Sequence, residues 1–244
     1  DTDARRTLAG LEQRFQQVFP DYALCRAFTS ETVIAKIEQT TGEHIPTPVR
    51  LMEQLAREGY DEVLCQSLHV MPGLEYEKMC RTLAGFQDRF ARLAIGAPLL
   101  GGADDCETLC RGLMQSMPHS APDEAYVYMG HGTAHTANAV YAQMECMFHK
   151  LGAEKVHIGT MRGCPDLTEI RRRLHMQGVR RVTLGFLLLT AGIHVQRDFT
   201  QWQAALQADG FTVQTDWHSL GERPIVQELF LRHARAAAQE DENM

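Results

Sequence analysis

Short apolar runs alternate along this chain with stretches in which apolar residues recur every three or four positions. The first pattern predicts buried strands and the second amphipathic helices. Strands are expected at 22–28 (YALCRAF), 62–70 (EVLCQSLHV), 92–100 (RLAIGAPLL), 125–130 (AYVYMG), 155–160 (KVHIGT), 181–189 (RVTLGFLLL) and 211–216 (FTVQTD). Helices are expected near 3–18, 30–40, 47–59, 74–91, 103–117, 136–151, 166–177, 196–208 and 224–238. Regular strand–helix alternation predicts an α/β fold with parallel sheets flanked by helices.

The two halves resemble each other. EVLCQSLHVMPGLEYEKM (62–79) aligns with RVTLGFLLLTAGIHVQRDF (181–199) as strand, glycine turn, helix, and RAFTS (26–30) takes the place of GTMRG (159–163). Two similar lobes are therefore expected, an N-terminal one over 1–117 and a C-terminal one over 125–244, with a cleft between them. The Pro- and Ser-containing MPHSAPDE (117–124) reads as the linker. The second half opens with a strand and turn, YVYMGHGT, that has no counterpart in the first, which begins in a helix. Three expectations follow: such a strand stood ahead of Asp1, another chain supplies it, or the lobe is rearranged.

Composition narrows the function. The chain is 44% hydrophobic and 23% charged, with a net charge of -7, which gives no footprint for nucleic acid. RRRL (171–174) reads as a solvated helix face. No apolar run reaches the ~18–20 residues of a membrane span. Seven cysteines without a CxxC pair argue against a disulfide framework and for a reducing compartment, here the cytoplasm, with a cleaved leader and a periplasmic location as the alternative. Neither GxGxxG after a strand, nor a Walker loop, a GxSxG elbow or HExxH is present, so no nucleotide is expected, and dehydrogenase, NTPase, hydrolase and zinc-protease chemistry lose support.

In an open parallel sheet, ligands bind beyond the carboxyl ends of the strands. The turns there carry His69 (SLHVMPG), His131 and His135 (MGHGTAH), Arg162 (GTMRGCP) and His194 (LTAGIHV). His131 lies between two glycines, which permit a tight turn and leave the imidazole uncovered. Imidazole is a common ligand for Co, Ni, Fe and Zn divalent ions. Two histidines with open positions hold a metal loosely enough to deliver it, whereas three or four ligands trap it. His131 and His194 are the expected metal-handling and catalytic pair. His69, Glu75 and His135 are candidate contacts to a substrate, and Met129 a candidate apolar wall.

The stretches MGHGTAHTANAVY, RAFTS, AREGYDEVLCQSLHVMPGLEYEKM and GVRRVTLGFLLLTAGIHVQRDF resemble the anaerobic sirohydrochlorin cobaltochelatases, the class II tetrapyrrole chelatases of cobalamin synthesis. The likeness runs in order over nearly the whole chain. It implies two similar α/β lobes, a lyase inserting Co(II) into sirohydrochlorin without ATP, a homo-oligomer, and metal handling by His131 and His194. Two departures stand out. Arg162 occupies the turn where the family carries a glutamate, and a guanidinium repels a divalent cation. Ile193 stands where the family has an acid. Arg162 could instead grip a carboxylate of the macrocycle. The alternatives are a non-catalytic tetrapyrrole or heme carrier, or a chelatase using Ni(II) or Fe(II).

Overall fold

The computed structural model describes residues 2–117 and 121–239; residues 118–120 of the expected linker, with His119 among them, and the last residues lie outside them. The chain divides into two compact units. Unit 1 comprises 1–14 with 99–229, and unit 2 comprises 15–98 with 230–244.

Unit 1 contains helix α5 (Ala103–Gln115) and four parallel strands with their helices: β3 (Glu124–Gly130), α6 (Ala139–Lys150), β4 (Val156–Thr160), α7 (Leu167–Met176), β5 (Arg181–Phe186), α8 (Ile193–Ala208) and β6 (Thr212–Asp216). The sheet order is β4-β3-β5-β6. β3 pairs Met129 with Gly159 on one side and with Phe186 on the other. Alternation along β3 explains its burial. Val127 and Met129 enter a core with Leu184, Phe186, Phe199 and Leu206, while Tyr128 stacks on Phe148 with centroids 5.9 Å apart. Tyr126 crosses over β5 to donate a hydrogen bond to Asp216 Oδ2 on β6 at 2.7 Å. It can do so because residue 185 is glycine: a Cβ there would sit 2.6 Å from the Tyr126 hydroxyl. Arg223 donates to the same Asp216 oxygen at 2.5 Å and to Ser116 Oγ at 2.8 Å.

Unit 2 holds β1 (Glu62–Gln66) and β2 (Arg92–Gly96), which pair in parallel as a two-stranded sheet. Its helices are α2 (Glu31–Thr41), α3 (Pro48–Glu58) and α4 (Leu74–Ala84). α3 is capped by Thr47 at its start, with Pro48 in the first turn, and by left-handed Gly59 at its end. Leu51, Leu55, Val63, Leu83 and Leu93 form the core. α2 is capped in the same manner but buries no residue. The last part of α9 (Pro224–Gln239) serves this unit, where the Arg92 guanidinium donates to the carbonyls of Ala237 and Ala238.

Several sequence expectations are corrected. Residues 22–28 form no strand: no ladder among the described residues includes them, and Tyr22 and Leu24 stay exposed. Strands expected to run to 70, 100 and 189 end at Gln66, Gly96 and Phe186, where the ladder partners stop. The helix expected over 74–91 ends at Ala84 and gives way to a 3-10 turn at Gln87–Arg89. The helix expected from 196 starts at Ile193, so His194 lies in its first turn. The units also differ from the expected 1–117 and 125–244. The start of α1 (Thr2–Val18) packs on the later half: Arg6 meets Glu222 at 3.4 Å, and a Cβ on Gly221 would lie 2.5 Å from Thr7. α5 follows it, with Cys110 Sγ donating to the Met144 carbonyl at 3.7 Å. All seven cysteines are free thiols, and no helix among the described residues is long and apolar enough to cross a membrane.

Candidate active site

The turn after β3 is held by packing on every side. Gly130 faces the ring of Tyr141, which a Cβ would approach to 2.4 Å. Gly132 adopts φ 76° and its Cα touches the next loop, since a Cβ there would lie 1.9 Å from the Arg162 carbonyl oxygen. Only glycine meets both demands. The Gly132 N–H donates to the Tyr141 hydroxyl at 3.2 Å. Asn138 accepts from the Thr133 N–H at 3.0 Å and donates to the Cys164 carbonyl at 2.9 Å, pinning the β3 and β4 loops together.

His131 emerges from this frame with an exposed side chain. Its Nδ1 lies 2.9 Å from the Gly132 carbonyl. A carbonyl only accepts, so Nδ1 carries the proton, and in the neutral ring Nε2 keeps its lone pair for a metal or a proton. This is the arrangement by which a second hydrogen bond orients a ligating histidine. The β3–β4 ladder continues past the strands through Met161 N–H to Gly130 O and Arg162 N–H to His131 O, both 2.9 Å. Arg162 is thereby fixed beside His131 by its backbone. Its side chain is exposed and pairs with no carboxylate among the described residues.

His194 is exposed in the first turn of α8, which follows β5, the neighbour of β3. His131, Arg162 and His194 thus stand at the carboxyl end of one sheet. His135 serves the backbone instead. Its Nδ1 accepts from the Ala137 N–H at 3.2 Å and caps the 3-10 turn Thr136–Asn138. Met129 is a correction. It is fully buried, 0% exposed, because odd-numbered β3 residues face the core, so it forms no wall for a substrate. Among the described residues neither His131 nor His194 belongs to a cluster of three or more metal-ligating side chains.

In unit 2, the turn after β1 holds His69 half-buried. The Ser67 hydroxyl accepts from the His69 N–H at 3.2 Å and lies 2.8 Å from His69 Nδ1, to which it can donate, leaving Nε2–H as the outward donor. Burial lowers the His69 pKa against the opposing pull of Glu75, which is exposed in the first turn of α4. His69 and Glu75 are therefore electrostatic neighbours.

Sequence reasoning did not single out Tyr141, Asn138 or Ser67, the residues that set these turns. Their signal was present only as polar or aromatic positions near the motifs. Trp217, just beyond β6, was also passed over; it is 46% exposed and packs on Phe199 of α8 with centroids 4.7 Å apart.

The fold is chelatase-like, with exposed imidazoles on the strand-end turns of a parallel sheet. SirB from Bacillus subtilis, solved with Fe3+, shares the fold with a TM-score of 0.68 at 16% identity, covering 99% of this chain and 92% of that one. A multi-domain protein from Deinococcus radiodurans with structural similarity to chelatases gives a TM-score of 0.55 at 14% identity, over 94% of this chain and 52% of the other. The chain belongs to the cobalt chelatase (CbiK) family, whose model matches residues 1–239. It is 35% identical to the sirohydrochlorin cobaltochelatase of Salmonella typhimurium, over 95% of this chain and 89% of the relative. It is 30% identical to the sirohydrochlorin cobaltochelatase CbiKC of Nitratidesulfovibrio vulgaris, over 95% of this chain and 84% of that protein.

Proposed function

We propose that this protein is a metal chelatase, a lyase that inserts Co(II) into sirohydrochlorin without ATP in cobalamin biosynthesis. His131 is the group that takes the ion and His194 its partner. Membership of the CbiK family and the two sirohydrochlorin cobaltochelatase relatives support the reaction. The observation that carries the site is the exposed His131 ring with Nδ1 committed to the Gly132 carbonyl.

Metallation strips a hydrated ion of water and removes two pyrrole N–H protons. A lone pair on His131 Nε2 serves either step, displacing a water from the ion or accepting a proton. Too few protein ligands stand beside it to trap the ion. Arg162 adds no ligand and repels the cation. Its guanidinium, without a carboxylate partner among the described residues, suits a bidentate contact to a carboxylate of the macrocycle. His131→Ala is expected to lower cobalt insertion by about 100-fold or more, the lower range for losing a general base, with an unchanged far-UV circular dichroism spectrum. Insertion at the parental rate, followed by absorbance, sinks the assignment.

A second reading, a tetrapyrrole carrier, is favoured by the same guanidinium beside His131. Titration of the protein with sirohydrochlorin, with and without Co(II), separates the two. Tight binding without a metallated spectrum favours the carrier. Ni(II) and Fe(II) in the same assay decide the metal.

A further inference from the structure

At the amino end of β4, on the opposite end of that strand from Arg162, three side chains converge. Glu145 and His149 are one turn apart on α6, and His157 is the second residue of β4. From His157 to Arg162 is five residues of extended chain, roughly 16 Å. His157 is 1% exposed. Its Nε2 lies 2.9 Å from Gln177 Oε1, an acceptor, so Nε2 carries the proton and Nδ1 keeps the lone pair in the neutral ring. That Nδ1 is buried with no hydrogen-bond partner and faces Glu145 Oε1 at 3.8 Å. In the neutral ring this sets two acceptors, His157 Nδ1 and Glu145 Oε1, against each other. A buried polar atom left in that state is costly.

A proton on His157 would relieve the confrontation without help from a third group. His149 makes the difference. Its Nε2 lies 3.0 Å from the Val156 carbonyl and donates to it, so its Nδ1 also keeps a lone pair. One ligating atom from each of Glu145, His149 and His157 lies within 4.8 Å of the other two, so small side-chain rotations bring all three onto a common ion, whose ligands at about 2.0–2.2 Å lie at most about 4.4 Å apart. Both imidazoles donate Nε2–H to an oxygen, which leaves Nδ1 as the ligating atom, as in histidines oriented for a metal.

We propose that Glu145, His149 and His157 form a second divalent-cation site, separate from the turn of His131, which clamps α6 onto β4. Two nitrogens and a carboxylate select a borderline ion such as Zn(II), Co(II) or Ni(II). Glu145 is otherwise engaged: Oε2 accepts from the Ile158 N–H at 2.7 Å and Oε1 from Arg173 Nη1 at 2.7 Å. Arg173 also bonds Glu169 at 2.8 Å, so it has a second carboxylate to retain when an ion takes its place. Arg173 is the built-in competitor for this site.

The test uses the full chain carrying His131→Ala and His194→Ala, which removes the candidate substrate site. Isothermal titration with Zn(II) is expected to show one equivalent bound, with a melting temperature that rises as Zn(II) is added. Adding His149→Asn, at a half-buried position, is expected to weaken binding about tenfold or more, the order seen when a group ordering a metal site is lost. Arg173→Gln is expected to tighten it. Absence of Zn(II) binding in the parent double variant overturns the proposal, as does an affinity that both further variants leave unchanged. Should His149→Asn fail to fold, the Arg173→Gln affinity and the visible spectrum of bound Co(II) decide: an unchanged affinity with a hexaaquo-like spectrum refutes the site.

Discussion

At the scale of single residues, the candidate site rests on backbone placement more than on side-chain contacts. Arg162 is anchored by its N–H to the His131 carbonyl, while its guanidinium makes no ion pair among the described residues. Arg162→Glu therefore leaves the turn intact, with a stability change within about 0.5 kcal/mol, typical of surface positions. It brings a carboxylate to the His131 imidazole, so Co(II) affinity rises, readable by titration in the absence of macrocycle. A lower or equal affinity would contradict the placement. Asp216 gives a prediction in pH. Burial would raise its carboxyl, but hydrogen bonds from Tyr126, Arg223 and His218 outweigh it and hold the pKa at about 2. Its stabilisation is complete above the ordinary carboxyl range and fades as pH falls from about 4 to about 2. The shift corresponds to about 2 kcal/mol before solvent screening at this partly buried site reduces it. Asp216→Asn is expected to lose that stability at neutral pH and to flatten the acid limb of a denaturation series. The candidate residues of the site stand out in the sequence because glycine-flanked histidines after apolar strands are unusual. Met129 was misplaced because a methionine at a strand end does not reveal which face it takes until the register is known. His135 was readable as a histidine in a turn, but its capping bond to Ala137 N–H depends on a local geometry that spacing alone does not fix.

At the scale of elements, the four strands of unit 1 fall where the sequence pattern placed them: β3, β4 and β5 are largely buried apolar runs, whereas β6 alternates between exposed and half-buried positions. The ends were less legible. A strand stops where its neighbour stops, and that is a property of pairing. Residues 22–28 carry a strand-like composition yet stay irregular, since β propensity expresses fit to a neighbour more than a preference of the backbone. The start of α8 at Ile193 moves His194 from a turn into a helix, where Gly192 caps without a side-chain bond. Tyr126, Gly185 and Asp216 tie three adjacent strands together. Gly185→Ala is expected to push Tyr126 off Asp216 and to cost about 1–3 kcal/mol, as overpacking does, measured by urea denaturation. A neutral result would mean that the tyrosine is free to move.

At the scale of the whole molecule, the two units are unequally built. Among the described residues, six of the eight large exposed hydrophobics, Tyr22, Leu24, Val33, Val49, Tyr60 and Leu74, belong to unit 2. In unit 1 the first strand of the repeat, β3, lies between the second and the third; the corresponding place beside β1 holds no described strand. The internal repeat made the likeness of the halves legible, but not the crossing of the chain ends, because α1 and α9 carry no counterpart that would mark their membership. Amide exchange is expected to be fastest over 22–41 and slowest in β3 and β5, since protection follows burial and cooperative packing. Equal protection in both would overturn this ranking. The guanidinium of Arg92 reaching the carbonyls at the end of α9 has a consequence for biogenesis. As the chain leaves the ribosome, residues 15–98 emerge early but wait for the turns of α9 beyond Leu229 to complete their unit. Unit 1, with the candidate residues His131 and His194, is closed by residue 229, so it can mature while its companion is still unfinished.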